Sequence, residues 1–149
     1  MDKAFVINLF RLTKEHVASV RNIATTGAVN YEEVTRLYYR AAHLTLLDVL
    51  LDRHREEFST ISAQLDGNMS LQHKLLTKYK WPLGEIRHLS LEDICLALHD
   101  ELKIDNFDQE ISTYFTTVLE KYDPLFFPDY INEEWDPLLY LQVERLPRY

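Results

Sequence analysis

Glycine is scarce in this chain, with three residues in 149 beside five prolines. So few chain breakers disfavour a many-turned all-β architecture. They also make a backbone cradle for phosphate hard to build. Neither glycine-rich phosphate loop occurs, and the Gly-x-Ser-x-Gly nucleophile motif is missing as well. One cysteine, Cys95, excludes an internal disulfide. It lies between Ile94 and Leu96 at an apolar helical position, where a small buried hydrophobe is expected and a reactive thiolate is not, since a thiolate needs a nearby cation or a helix N-terminus. Such a chain suits a reducing compartment. No apolar run approaches the roughly 20 residues that span a bilayer. The longest, Leu44 to Leu51, is interrupted by Thr45 and Asp48. The opening Met-Asp-Lys-Ala-Phe-Val-Ile-Asn turns polar too soon for a secretory signal, so a cytoplasmic location is expected.

What is present fits an ordinary folded domain. Hydrophobic content is 46% and charged content 27%, both at globular averages, and the length suits one domain over 1–149. The net charge of −8 is unevenly spread. Residues 1–99 hold twelve Lys/Arg against twelve Asp/Glu, whereas residues 100–136 hold eleven Asp/Glu against Lys103 and Lys121 alone. That one-sided field repels nucleic acid and anionic membrane and attracts a basic surface.

The apolar periodicity is helical nearly throughout. Phe5, Leu9, Leu12, His16, Val20 and Ile23 recur at three- and four-residue steps and predict a helix over 4–24, with Gly27 as its C-cap. Asn30 with Glu33 is a capping-box pattern that opens a long helix over 31–58. Its apolar stripe changes side. Val34, Leu37, Tyr38, Ala41 and Leu44 share one face, while Leu46, Leu47, Leu50, Leu51 and Phe58 point nearly opposite. Without Pro or Gly to cause a kink, this is the pattern of a central helix with partners on both sides. Asp66-Gly67-Asn68 reads as a turn, and Ser70 as the cap of a short helix ending before Pro82. Ser90 caps a helix with Leu91, Ile94, Cys95, Leu98 and Leu102 on one face. Asp105 or Asn106 opens another, with Phe107, Ile111, Tyr114, Phe115, Val118 and Tyr122 inward. After Asp123-Pro124, residues 125–130 form an aromatic loop. Asp136-Pro137 then starts a last short helix over 137–145, although Leu139 to Val143 suits a strand equally well. The expected fold is all-α, five to seven helices around the long one, with an irregular aromatic C-terminal segment.

Catalytic and metal signals are thin. One Glu-x-x-His, Glu85 to His88, falls short of a di-iron bundle, and the His-Glu-x-x-His motif of zinc proteases is absent, so no metal and no cofactor are expected. His43 and His54 lie on different faces of the long helix and read as satisfied structural residues. Arg11/His16 and Arg36/His43 have the spacing that helical ribonucleases use, but one such match is expected by chance, and phosphate affinity conflicts with the acidic balance. Asp48, set among leucines, reads as part of a polar seam with Asp52, Arg55 and Glu56 that faces water, the sharper alternative being a buried, partner-specifying charge.

The C-terminal stretch carries the strongest functional signal. Asp123, Asp129, Glu133, Glu134 and Asp136 are interleaved with Phe126, Phe127, Tyr130, Ile131 and Trp135. Aromatics anchor interfaces and carboxylates steer basic partners, so Asp123, Asp129, Tyr130, Glu133, Glu134, Trp135 and Asp136 are the candidate partner-binding residues; the other reading is that the aromatics fold back to complete the core and the acids are simply solvated. The expectation is a non-enzymatic module that docks a basic protein, in character like small acidic helical immunity proteins or antitoxins, a likeness of charge and size alone. A helical ribonuclease and a homo-oligomer burying the two-sided long helix are the alternatives.

Overall fold

A computed structural model describes residues 1–124 and 129–143. These residues form seven α-helices and two 3-10 turns, and no strand occurs among them. In chain order they are α1 (Lys3–Arg21), α2 (Tyr31–Phe58), α3 (Asn68–Tyr79), α4 (Leu83–Ile86), α5 (Leu91–Ala97), α6 (Gln109–Leu119) and α7 (Tyr140–Val143). The 3-10 turns cover Ile104–Asn106 and Asn132–Glu134.

The long helix is central and unbroken. Asn30 Oδ1 accepts the Glu33 N–H at 3.2 Å, and 28 residues follow without a kink. Both apolar faces are covered within the chain: α1 and α6 pack against α2, and so does α3. Leu37, Ala41 and Leu44 are buried on one face, and Leu46, Leu47, Leu50 and Leu51 on the other. Phe58 is the exception, exposed at the end of the helix. A homodimer is not needed to bury the two-sided stripe.

The first helix differs from expectation in which residues it buries. Its innermost side chains are Val6, Leu9, Phe10, Thr13 and Val17. Val6, Phe10 and Val17 belong to the main core, where Phe10 meets Phe115 edge-on at 5.2 Å. Leu9 faces a smaller cluster with Leu139, Tyr140 and Val143, flanked by Phe5 and Leu12. The stripe visible in the sequence is therefore the side that the C-terminal segment covers, and α1 is buried on two sides. Its C-cap is Asn22 in the left-handed region, φ 53°, and Gly27 lies beyond it in the connection.

Other boundaries shift for local reasons. Ser70 does not cap α3. It lies inside the helix, fully buried, donating to the Gly67 carbonyl and receiving Arg55 Nη1 at 3.2 Å. Gly67 itself precedes α3 at φ 57°, ψ −131°, a conformation that essentially only glycine adopts. A Cβ there would come within 2.9 Å of Leu138, so this glycine also lets the C-terminal segment lie close to α3. Ser90 caps α5 as expected, accepting from the Asp93 N–H. The helix expected from 105 or 106 starts only at Gln109, with Ile104–Asn106 as a separate 3-10 turn. Leu139 to Val143 is not a strand: Tyr140–Val143 is helical, preceded by the Asp136 turn. Leu125, Phe126, Phe127 and Pro128, and the end of the last expected helix, lie outside the described residues.

Candidate functional site

The candidate binding residues do not form one exposed face. Tyr130 and Trp135 are only 8% and 9% exposed, and Glu134 is 0% exposed. The expectation that these three present themselves to a partner is thus overturned. The reason is chemical: each polar end has a waiting mate on α1 or α2.

Glu134 is held by two arginines. Arg21 Nε donates to its Oε1 at 2.6 Å, and Arg40 Nε faces Oε2 at 3.8 Å as an ion pair without a hydrogen bond. Arg40 is itself only 3% exposed, one turn from Leu37 and Leu44 on the central helix. Its Nη2 reaches Asp129 Oδ1 at 2.6 Å, and Arg21 Nη2 donates to the Asp129 carbonyl at 2.5 Å. Hydrogen bonding to Arg40 holds the Asp129 carboxyl below its ordinary range. Two carboxylates and two guanidiniums therefore clamp the segment after residue 128 onto α1 and α2. Glu134 Oε1 also accepts the Ile131 N–H at 2.9 Å, which shapes the local 3-10 turn.

The aromatic ends are paired too. Trp135 Nε1 donates to Asp48 Oδ1 at 3.0 Å. Asp48 is therefore no part of a water-facing seam. It is 2% exposed, and Arg55 is buried as well, whereas Glu56 is exposed and Asp52 is half-buried. Burial pushes the Asp48 carboxyl up to about 7 despite the Trp135 hydrogen bond and the Arg55 charge, which pull the other way. Tyr130 shares a 2.6 Å hydrogen bond between its hydroxyl and His43 Nδ1. Burial, helped by the nearby His99, lowers His43 to about 4, so its ring is neutral at pH 7. Asp136 is half-buried, its Oδ1 accepting the Leu138 N–H at 3.0 Å. Of the seven candidate residues, Asp123 and Glu133 keep solvent-exposed carboxylates outside any ion pair among the described residues, while Asp129 is exposed but bound to Arg40.

The residues singled out for chemistry are occupied elsewhere. His16 Nε2 donates to the Glu133 carbonyl at 2.7 Å and Arg11 pairs with Glu15, so Arg11 and His16 do not converge. Arg36 is exposed, while His43 is engaged inside with Tyr130. His54 and His73 share a 2.8 Å hydrogen bond. His88 Nδ1 donates to the Gly84 carbonyl at 2.6 Å, away from any ligand role with Glu85. No group of three or more His, Cys, Asp or Glu side chains that could hold a metal occurs among the described residues. The Cys95 thiol is buried, and burial together with the Glu134 charge pushes it up to about 12. No helix among the described residues is long and apolar enough to cross a membrane.

The uncompensated charge lies earlier in the chain. Asp100 and Glu101 are bound by Lys78, and Glu101 also by Lys74. Burial alone would lower Lys78, but its hydrogen bonds to Glu101 and Asp100 outweigh that and raise it. Asp105, Asp108, Glu110, Glu120 and Asp123 are all exposed, and none is ion-paired among the described residues. They bracket α6, whose other face buries Ile111, Phe115 and Leu119. On α5, Leu96 is 60% exposed, one turn after Glu92 and Asp93. Sequence reasoning missed Arg21 and Arg40 as internal partners. The available signal was Arg40 itself, a cation one turn from Leu37 and Leu44 on the central helix. No family model, no curated protein and no solved structure matches this chain.

Proposed function

We propose that the protein is a non-enzymatic binding module that docks a basic protein partner through the acidic surface around α6. The observation that carries this reading is the split in charge pairing. Asp129 and Glu134 have arginine partners, whereas Asp105, Asp108, Glu110, Glu120 and Asp123 are exposed and make no ion pair among the described residues. Unpaired surface carboxylates of one sign raise the encounter rate with a positive surface and disfavour anionic partners. An inhibitor of the immunity or antitoxin kind, neutralising a basic effector, fits this character.

The test is affinity capture from the native host, followed by measured binding of the recovered partner to wild type and to Asp105→Lys/Glu120→Lys/Asp123→Lys. The reading expects a partner of high isoelectric point, with affinity that falls as salt rises and drops at least about tenfold in the triple variant. A partner bound equally well by the triple variant, or one that is acidic, overturns it.

A further inference from the structure

The hairpin of α1 and α2 holds a groove of about 410 Å³ on its outer side, within the size range of small-ligand sites. The two helices run antiparallel, which orders its lining residues. Lys14 lies opposite Tyr38 at one end, Ala18 opposite Val34 and Leu37 in the middle, and Thr25 and Val29 from the connection close the other end. The middle is apolar, and the far end mixes exposed Thr25 with Val29, which is 49% exposed.

The open end also carries Arg11 and Glu15, which pair with each other, so its net charge is positive. Lys14 Nζ sits 4.6 Å from the ring centroids of both Phe10 and Tyr38. These rings fix the ammonium in place but accept none of its hydrogen bonds conventionally. Among the described residues Lys14 has no ion pair, because the neighbouring Glu15 is taken by Arg11 at 3.1 Å. With Glu15 held by Arg11, a positioned ammonium at the mouth of a largely apolar trough suits a ligand that joins a carboxylate to a hydrocarbon body.

We propose that this groove binds a small amphiphilic carboxylate, its head on Lys14 and its alkyl chain running past Ala18, Leu37 and Val34 to Val29. A charge-assisted hydrogen bond at a half-buried ammonium sets the head, and apolar burial along the helices holds the tail. The groove shares no residue with the acidic surface around α6, so the two proposals fail independently.

Decanoate, below its micellar concentration, is the probe, with decyltrimethylammonium of the same chain length as the charge control. Amide chemical shifts of the whole protein report both site and affinity. The expected result is saturable decanoate shifts confined to residues 11–18 and 25–38, no saturable shift with decyltrimethylammonium, and at least about tenfold weaker decanoate binding in Lys14→Gln. Lys14 is half-exposed, and unchanged shifts elsewhere in Lys14→Gln verify that the fold is kept. Absent saturation, shifts spread over other surfaces, equal binding of the cationic probe, or Lys14→Gln binding as tightly as wild type would each overturn the proposal.

Discussion

The segment 129–136 and the segment 105–123 have similar ingredients, carboxylates interleaved with aromatic and aliphatic side chains, yet opposite fates. In the first, Glu134 is sealed at 0% exposure, and Tyr130 and Trp135 are nearly so. In the second, the acids stand in water, while the apolar residues of α6 take the core face of an ordinary amphipathic helix. The difference lies not in the segments but in what the rest of the fold offers them. Arg21 ends α1 and Arg40 interrupts the core stripe of α2, so a carboxylate arriving there is matched. Around α6 only Lys103 and Lys121 are near in sequence, and neither forms an ion pair among the described residues. Burial of an acid follows the supply of cations, since an unpaired charge inside is too costly to keep.

The sharpest way to break this contrast is to remove the cation on which the clamp depends. Arg40→Ala leaves the fully buried Glu134 with Arg21 as its remaining ion partner, and it also releases Asp129. Stability should fall by about 3–5 kcal/mol, the range for a broken buried pair, read from the midpoint of urea unfolding. Arg40→Met/Glu134→Met, which replaces both charges with apolar chains, should recover more than half of that loss. If Arg40→Ala unfolds with the wild-type midpoint, the clamp contributes nothing and the comparison fails.

How far the sequence carried the reading follows from the same physics. The span 31–58 and the two-sided role of α2 were legible because local signals agreed: the Asn30 cap, an apolar stripe on each face, and no breaker between. The Ser90 cap and the Leu91–Leu102 face were legible for the same reason. The candidate site was not legible, because burial of Tyr130, Glu134 and Trp135 depends on partners 87 to 113 residues away. No local period records such pairs. Asp48 misled in the same way, since its mate Trp135 is remote and a carboxylate read alone defaults to water. The groove beside Lys14 was missed because it is a gap between helices, and only the packing of α1 on α2 creates it.

The Asp48–Trp135 contact refines the comparison, because here an acid is buried with a neutral donor as its hydrogen-bond partner. Trp135→Phe keeps the ring and deletes the N–H, and should cost about 1–3 kcal/mol, the penalty for an unsatisfied buried group. The pH dependence has a definite sign. The folded-state carboxyl is raised from 3.8 to about 7, so between those values the folded protein keeps a proton that the unfolded chain has lost. The contribution of this group to stability is present below pH 4, declines by up to about 1.4 kcal/mol per unit as pH rises, and levels off above about 7. Asp48→Asn, which still accepts from Trp135, should lack this decline and be more stable than wild type at pH 8. Parallel stability curves from pH 4 to 8 would show that Asp48 is already ionised in the fold.

The smallest stability effect belongs to the outward acids, and its smallness is what gives it value. Asp105, Glu120 and Asp123 make no ion pair among the described residues and are exposed, so reversing all three to Lys should change stability by less than about 1 kcal/mol. Glu120 gives the direction at one site: it caps the C-terminal end of α6, where a negative charge opposes the helix dipole, so Glu120→Lys alone should raise the melting temperature slightly. A combined loss above 2 kcal/mol would mean that these acids are paired structurally, like Glu134, and the division between clamped and free carboxylates would collapse. A near-neutral result, with partner affinity lost in the same protein, would separate binding from folding at this surface. The clamp at Glu134 cannot provide that separation, because its charges support the structure itself.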